Sequence, residues 1–233
     1  MVSGRCKHRP SLTTGHRPLA IIMAPPLITI TRQYASGGSD IAQRVAQALG
    51  WTVIDNEFVD EVARRAGLPR AEVAQREERT PGLLERLART LAAASPELSV
   101  TEATVSDAER DEAAIHAMTE RIILEAAGEG RAVVVGRGAQ ALLAKRPDAL
   151  HVYVVASKPW RMQLAVERLH VDPATVEKVL DETDKRRDRY VKTYSGRVRR
   201  DLDNYDLVVN AERLEIEGAA GVILAEAKRR GWS

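Results

Sequence analysis

The 233 residues hold a single cysteine, Cys6, which excludes an internal disulfide framework and any cysteine-built zinc site. A lone cysteine suits a reducing compartment, so the expected location is cytoplasmic. Aromatic residues make up only 4%, which leaves the core to be packed mainly from Ala, Val, Leu and Ile. No apolar run approaches the roughly 20 residues of a membrane span. The net charge of +2 gives no whole-molecule attraction to nucleic acid or to a membrane, and neither is expected as a partner. His8, His16, His116, His151 and His170 are scattered without metal-ligand spacing.

What is present is a regular alternation of short β-branched runs with amphipathic stretches. Strands are expected at 27–31, 51–54, 132–135, 150–155 and 205–209. Helical stripes are expected at 40–49, 57–66, 115–127, 160–169 and 216–230, with a helical turn or two at 139–144. Asp172-Pro173 signals a further helix start, running to about Lys192 and broken by Gly196. Strands alternating with helices imply a doubly wound parallel sheet, an α/β fold. Residues 1–24 mix basic, hydroxyl and glycine residues without periodicity and are assigned to a disordered tail. Residues 25–233 form one domain, with an Ala-, Arg- and Glu-rich helical insertion at about 69–115.

The first strand is followed by Arg32-Gln33-Tyr34-Ala35-Ser36-Gly37-Gly38-Ser39 and then directly by a helix. A helix N-terminus offers unpaired N–H groups and roughly half a positive charge from its dipole. Glycine lets the backbone approach a phosphate closely, so this segment has the chemistry of a phosphate-binding loop. The usual pattern is G-x-x-x-x-G-K-[ST]. Aligned on Ser39, the chain places Arg32 at the first glycine and Gly38 at the lysine. Ser39 keeps the hydroxyl expected to reach a magnesium ion. The missing cation has to come from Arg32 or from arginines elsewhere. The plainer reading is an ordinary strand-to-helix turn built of small residues.

The segment ITITRQYASGGSDIAQRVAQALG resembles the opening of the cytidylate kinase-like family, a lysine-free branch of the P-loop kinases. VVVGRGAQALL at 133–143 and DKRRDRYVKTYSGRVRRDLDNYDLVVN at 184–210 resemble that family's Gly-Arg segment and its basic lid with the strand after it. The resemblance implies a P-loop kinase-like parallel sheet flanked by helices, with a lid at about 184–203. It implies ATP and Mg2+ as cofactors, and nucleotides as substrates. It places Ser36, Gly37, Gly38 and Ser39 at the ATP phosphates, Asp55 and Arg137 at the monophosphate, and Arg161 at the helix after the fourth strand. Arg186, Arg187 and Arg189 become the lid arginines. Gly138 stands where the family carries Asp, a departure that bears on recognition of the cytosine or ribose.

Each residue also has a plainer reading. Asp55 can cap the helix that follows, and Arg137 can flank a helix on the surface. The mixed charges at 181–189 fit a solvated helix face, and Tyr190 and Tyr194 fit packing. The reaction expected is transfer of phosphate from ATP to a nucleoside monophosphate, CMP or dCMP first. The alternatives are a nucleotide-binding sensor without transfer activity, and a kinase for another small acceptor.

Overall fold

A computed structural model describes residues 25–56, 58, 59, 62 and 107–232. The tail at 1–24, most of the helix read at 57–66 and most of the insertion at about 69–115 lie outside these residues.

Five strands, β1 (Leu27–Arg32), β2 (Thr52–Ile54), β3 (Ala132–Val135), β4 (Ala149–Val155) and β5 (Leu207–Asn210), form one sheet in the order β2-β3-β1-β4-β5. Every pairing is parallel. Both faces are covered, so the strands are apolar without alternation. In β3, Ala132 and Val134 face one apolar layer while Val133 and Val135 face the other.

One layer is built by helix α1 (Gly38–Leu49) and the closing helix α6 (Ala211–Arg229). Ile41, Val45, Ala219 and Ile223 pack there on Ile28, Ile30 and Val152. The opposite layer is built by α2 (Asp107–Glu129), whose Met118, Ile122 and Ile123 meet Phe58, Val62 and Leu27. Between β3 and β4 lies the single turn α3 (Ala139–Leu142). Helices α4 (Lys158–Leu169) and α5 (Val176–Ser195) follow β4 and pack on each other through Ala165, Val176 and Leu180.

Several boundaries differ from the sequence reading for local reasons. Helix α2 begins at Asp107 rather than 115, because the Asp-Ala-Glu-Arg run favours helix although it lacks an apolar stripe. Helix α4 starts at Lys158, where the Ser157 hydroxyl accepts from the Trp160 N–H at 3.4 Å. The strand read at 205–209 starts at Leu207, since Leu202–Asn204 form a 3-10 turn that Tyr205 closes. Helix α6 starts at Ala211, where the Asn210 side chain accepts from the N–H groups of Glu212 and Arg213. Glu215, at φ 57°, then kinks it, so residue 216 opens its second segment.

β1 is central, and the strand order runs outward from it in two directions. Ligands of open α/β sheets bind beyond the carboxyl ends of the strands at such a switch point. Here that crevice is framed by Arg32, Gly136 and the loop before α1. Ile30, fully buried in β1 next to this end, tests how far the core supports it. Ile30→Ala is expected to lower unfolding free energy by about 2–5 kcal/mol, measured by urea denaturation.

Candidate functional site

The loop between β1 and α1 is fixed to β4 before it turns. The Gln33 N–H donates to Val154 O at 3.1 Å, and its side-chain oxygen accepts from the Ala156 N–H at 2.9 Å. Ser36 is buried, and its hydroxyl donates to Gln33 O at 3.0 Å, with Val154 O 3.4 Å away. That hydroxyl braces the loop. Gly37 is left-handed at φ 73°, and a side chain there would collide with Ile216.

The first bond of the helical ladder runs from the Ile41 N–H to Gly37 O at 3.0 Å. The amides of Gly38, Ser39 and Asp40 therefore precede the ladder and open outward, which is what an anion needs. Ser39 is exposed in this first turn, and among the described residues its hydroxyl has no partner. The described residues contain no cluster of three or more metal-ligating side chains. The donor set thus fits a magnesium ion held by one hydroxyl and by phosphate oxygens brought in with the nucleotide.

Beside the loop opens a cavity of about 540 Å³. Arg32, Arg137, Arg186, Arg187, Arg189 and Arg199 line it, and no carboxylate does among the described residues. Tyr190, Tyr194 and Gln140 line it as well. The arginines arrive from four places: the end of β1, the turn after β3, helix α5, and the segment beyond Gly196. Gly136, Arg137 and Gly138 are all left-handed, at φ 73°, 54° and 69°. The two glycines adopt this conformation at no cost, and Arg137 is held in it between them. Aspartate at 138 would be strained, which gives the departure from the family pattern a backbone cause. The Arg137 Nε donates to the Asn56 side-chain oxygen at 2.8 Å.

A guanidinium cluster of one sign needs holding in place. The Arg32 carbonyl does part of this, accepting from Arg187 at 3.1 Å and from Arg199 at 3.0 Å. Asp184 does most of the rest. It is buried on α5 and accepts from the Tyr34 N–H at 2.9 Å and from Arg161 at 2.8 Å, with Arg199 3.6 Å away. Asp188 takes the Arg199 Nε at 2.6 Å. Burial, then Arg187, Arg137 and Arg199, push the Arg32 pKa down to about 9, against an opposing pull from Asp55. Burial likewise lowers that of Arg187.

The remaining expected residues fall as follows. Asp55 caps the next helix through the Phe58 N–H at 2.8 Å and lies close enough to Arg32 to act on its charge. Arg161 stands outside the cavity, clamped between Asp184 and the Tyr34 carbonyl. Arg186 is exposed, with the Thr183 hydroxyl 3.3 Å from its Nη2. Arg199 and Asp184 were not singled out from the sequence. Arg199 lies beyond the helix break, and Asp184 was hidden in a run of mixed charge. A signal for Asp184 existed: Val176, Leu180 and Asp184 recur at four-residue steps and form the buried stripe of α5. Tyr190 and Tyr194 form an aromatic cluster with His116 of α2, whose Nδ1 is 2.7 Å from the Tyr190 oxygen.

Comparison with known proteins gives a family match and distant shapes. The model of the cytidylate kinase-like family matches residues 27–213. No curated protein matches the chain. A crystal structure of an uncharacterized protein from Eubacterium ventriosum ATCC 27560 is 19% identical at a TM-score of 0.62, covering 87% of this chain and 98% of its own. Shikimate kinase from Bacteroides thetaiotaomicron is 12% identical at a TM-score of 0.49, over 87% of this chain and 98% of its own. The first of these shares the fold; the second is too distant in shape to bear on this chain.

Replacing Asp184 takes a carboxylate away from two buried guanidinium groups at once. Asp184→Ala is expected to cost about 3–5 kcal/mol of folding stability, the cost of breaking a buried ion pair from one side. Equilibrium unfolding of wild type and variant checks it.

Proposed function

This chain belongs to the cytidylate kinase-like family, and from that membership and its arginine-lined cavity we propose that it transfers phosphate from ATP to a nucleoside monophosphate. The membership supports a small-molecule phosphotransferase using ATP and a metal ion. CMP and dCMP are the acceptors to try first. The observation that carries the reading is the convergence of six arginines, with no lining carboxylate among the described residues, next to a loop of open amides.

In the reaction, a phosphate oxygen of the acceptor bonds to the γ-phosphorus. The bond from that phosphorus to the β–γ bridging oxygen breaks, and its electron pair leaves on ADP. No protein group needs to form a covalent bond. The chain's task is positioning and charge neutralisation.

The amides of Gly38 and Ser39, with Gly37 shaping the turn, receive the donor phosphates, and Arg32 adds positive charge beside them. Magnesium, when bound at Ser39, supplies further charge neutralisation on the phosphate oxygens. Arg137 takes the acceptor phosphate, its fork held by Asn56. Asp55 keeps the preceding segment in register through its cap. Arg186, Arg187 and Arg189 on α5 close over the transferring group and exclude water. Ser36 and Arg161 serve by bracing the loop and joining it to α4. The part of the cavity that Tyr190 and Tyr194 line receives the body of the acceptor. Asn56, Gly138 and Gln140 leave little charge there, which fits a neutral base.

A coupled assay of the purified protein with magnesium-ATP and a panel of monophosphates tests this. ADP release is expected with a pyrimidine nucleoside monophosphate and not with the corresponding nucleoside, which lacks the acceptor phosphate. Arg137→Ala is expected to lower kcat/KM by about 10³-fold or more, on the scale of an arginine that stabilises transferring phosphate. Its melting temperature should stay near that of wild type, because Arg137 lies outside the core. Saturable ATP binding without ADP release on any acceptor would overturn the reaction in favour of a sensor.

A further inference from the structure

Two glycines are shaped around one arginine. In the usual phosphate loop the first position has no side chain and the seventh supplies the lysine. Here the first position is Arg32 and the seventh is Gly38. These positions touch. A Cβ built on Gly38 would lie 2.6 Å from Arg32 Cβ and 3.0 Å from its Cγ. A lysine at 38 and an arginine at 32 therefore exclude each other unless the backbone moves.

The same side chain meets a second glycine at its far end. A Cβ on Gly136 would fall on Arg32 Nη1 and lie 2.9 Å from Cζ. The residue after Gly136 is Arg137. The Arg32 side chain thus runs from the start of α1, where the loop amides open, to the turn that carries Arg137. It crosses the gap between the two halves of the cavity.

Its surroundings do not explain it as a structural ion pair. The Nε is buried and has no hydrogen-bond partner. Arg187, Arg137 and Arg199 repel its charge, against an opposing pull from Asp55. A buried polar atom left unpaired and a repelled cation both cost stability. An anion in the cavity satisfies both, since the guanidinium presents its donors in a rigid fork suited to phosphate.

We infer that Arg32 performs the lysine's role from the opposite wall of the loop, with its guanidinium spanning the donor and acceptor phosphates, and that position 38 is glycine because position 32 is arginine. The inference rests on reading the cavity as a phosphate-transfer site. It adds a positioning pair, 32 with 38, and a reason that the lysine is absent.

The test uses Arg32→Gln, Gly38→Lys and the exchange Arg32→Gly/Gly38→Lys in the full chain. Affinity for inorganic pyrophosphate is read by calorimetry, the ligand-free melting temperature by circular dichroism, and turnover by the coupled assay. Arg32→Gln is expected to weaken pyrophosphate binding by about 10–100-fold, the scale of lost charge-assisted hydrogen bonds. Its ligand-free melting temperature should equal or exceed that of wild type, because a repelled charge has gone. Gly38→Lys alone should bind weakly and melt lower. The exchange should recover affinity to within about tenfold of wild type, since a lysine on the loop again meets the phosphates.

Wild-type affinity in Arg32→Gln would overturn the inference. So would a lowered melting temperature with affinity intact, the mark of a purely structural arginine. An exchange variant no better than Arg32→Gln would overturn the pairing. Failure of the kinase reading looks different: wild type then binds pyrophosphate, Arg32→Gln does not, and neither turns over any monophosphate. Wild type that fails to bind pyrophosphate defeats both.

Discussion

Like charges held together with little water are the constraint on which the rest of this structure depends. Six guanidinium groups face one cavity, and for Arg32, Arg187 and Arg199 burial strengthens the mutual repulsion as it removes solvent that would screen it. The lowered pKa of Arg32 expresses that cost. The unfolded chain holds the same proton more tightly, so the cluster subtracts from folding stability at neutral pH. The two apolar layers on either side of the sheet have to offset it. This is the usual exchange of stability for a prepared site.

What keeps the cluster from flying apart is a short list of acceptors placed behind it. The carbonyl of Arg32 receives two guanidinium groups, and Asp184 and Asp188 sit on α5, the helix that delivers Arg186, Arg187 and Arg189. Asp184 joins three elements through one carboxylate: the loop at Tyr34, helix α4 through Arg161, and the segment after α5 through Arg199. The position of α5 is thereby tied to the position of the loop before α1. A shift of α5 by a single turn would break the bonds of Asp184 to both Tyr34 and Arg161.

The strands were legible in the sequence because a sheet covered on both faces leaves an apolar run that glycine and proline punctuate. The loop before α1 was legible because small residues directly before a helix stripe mark a tight strand-to-helix turn. Arg137 stood out at a strand end for the same reason. Asp184 and Arg199 were not legible as site residues, since charge alone does not tell a buried helix face from a solvated one. Their roles come from α5 packing on α4 and from the chain doubling back after Gly196, both non-local. The aromatic group of His116, Tyr190 and Tyr194 likewise joins α2 to α5, elements far apart in sequence. The reason for Gly38 was hidden too, because it lies in the volume of another residue six positions earlier.

The amount of charge in the cavity bears on which ligand it suits. A phosphate monoester carries about −1.5 to −2 charges. Asp188 already answers part of Arg199, and Asp184 is shared between Arg161, Arg199 and the backbone. Among the described residues, Arg32, Arg186, Arg187 and Arg189 still exceed what one monoester neutralises. A ligand with several phosphates, or two phosphate-bearing ligands meeting end to end, balances them far better. The arginines also come from both sides of the gap: Arg32 and the loop on one, Arg137 on the other, with α5 above. A sensor for a single nucleotide has no need of cations on both walls, whereas bringing two polyanions into contact requires them, since repulsion between the reactants is the first barrier that such a transfer must overcome.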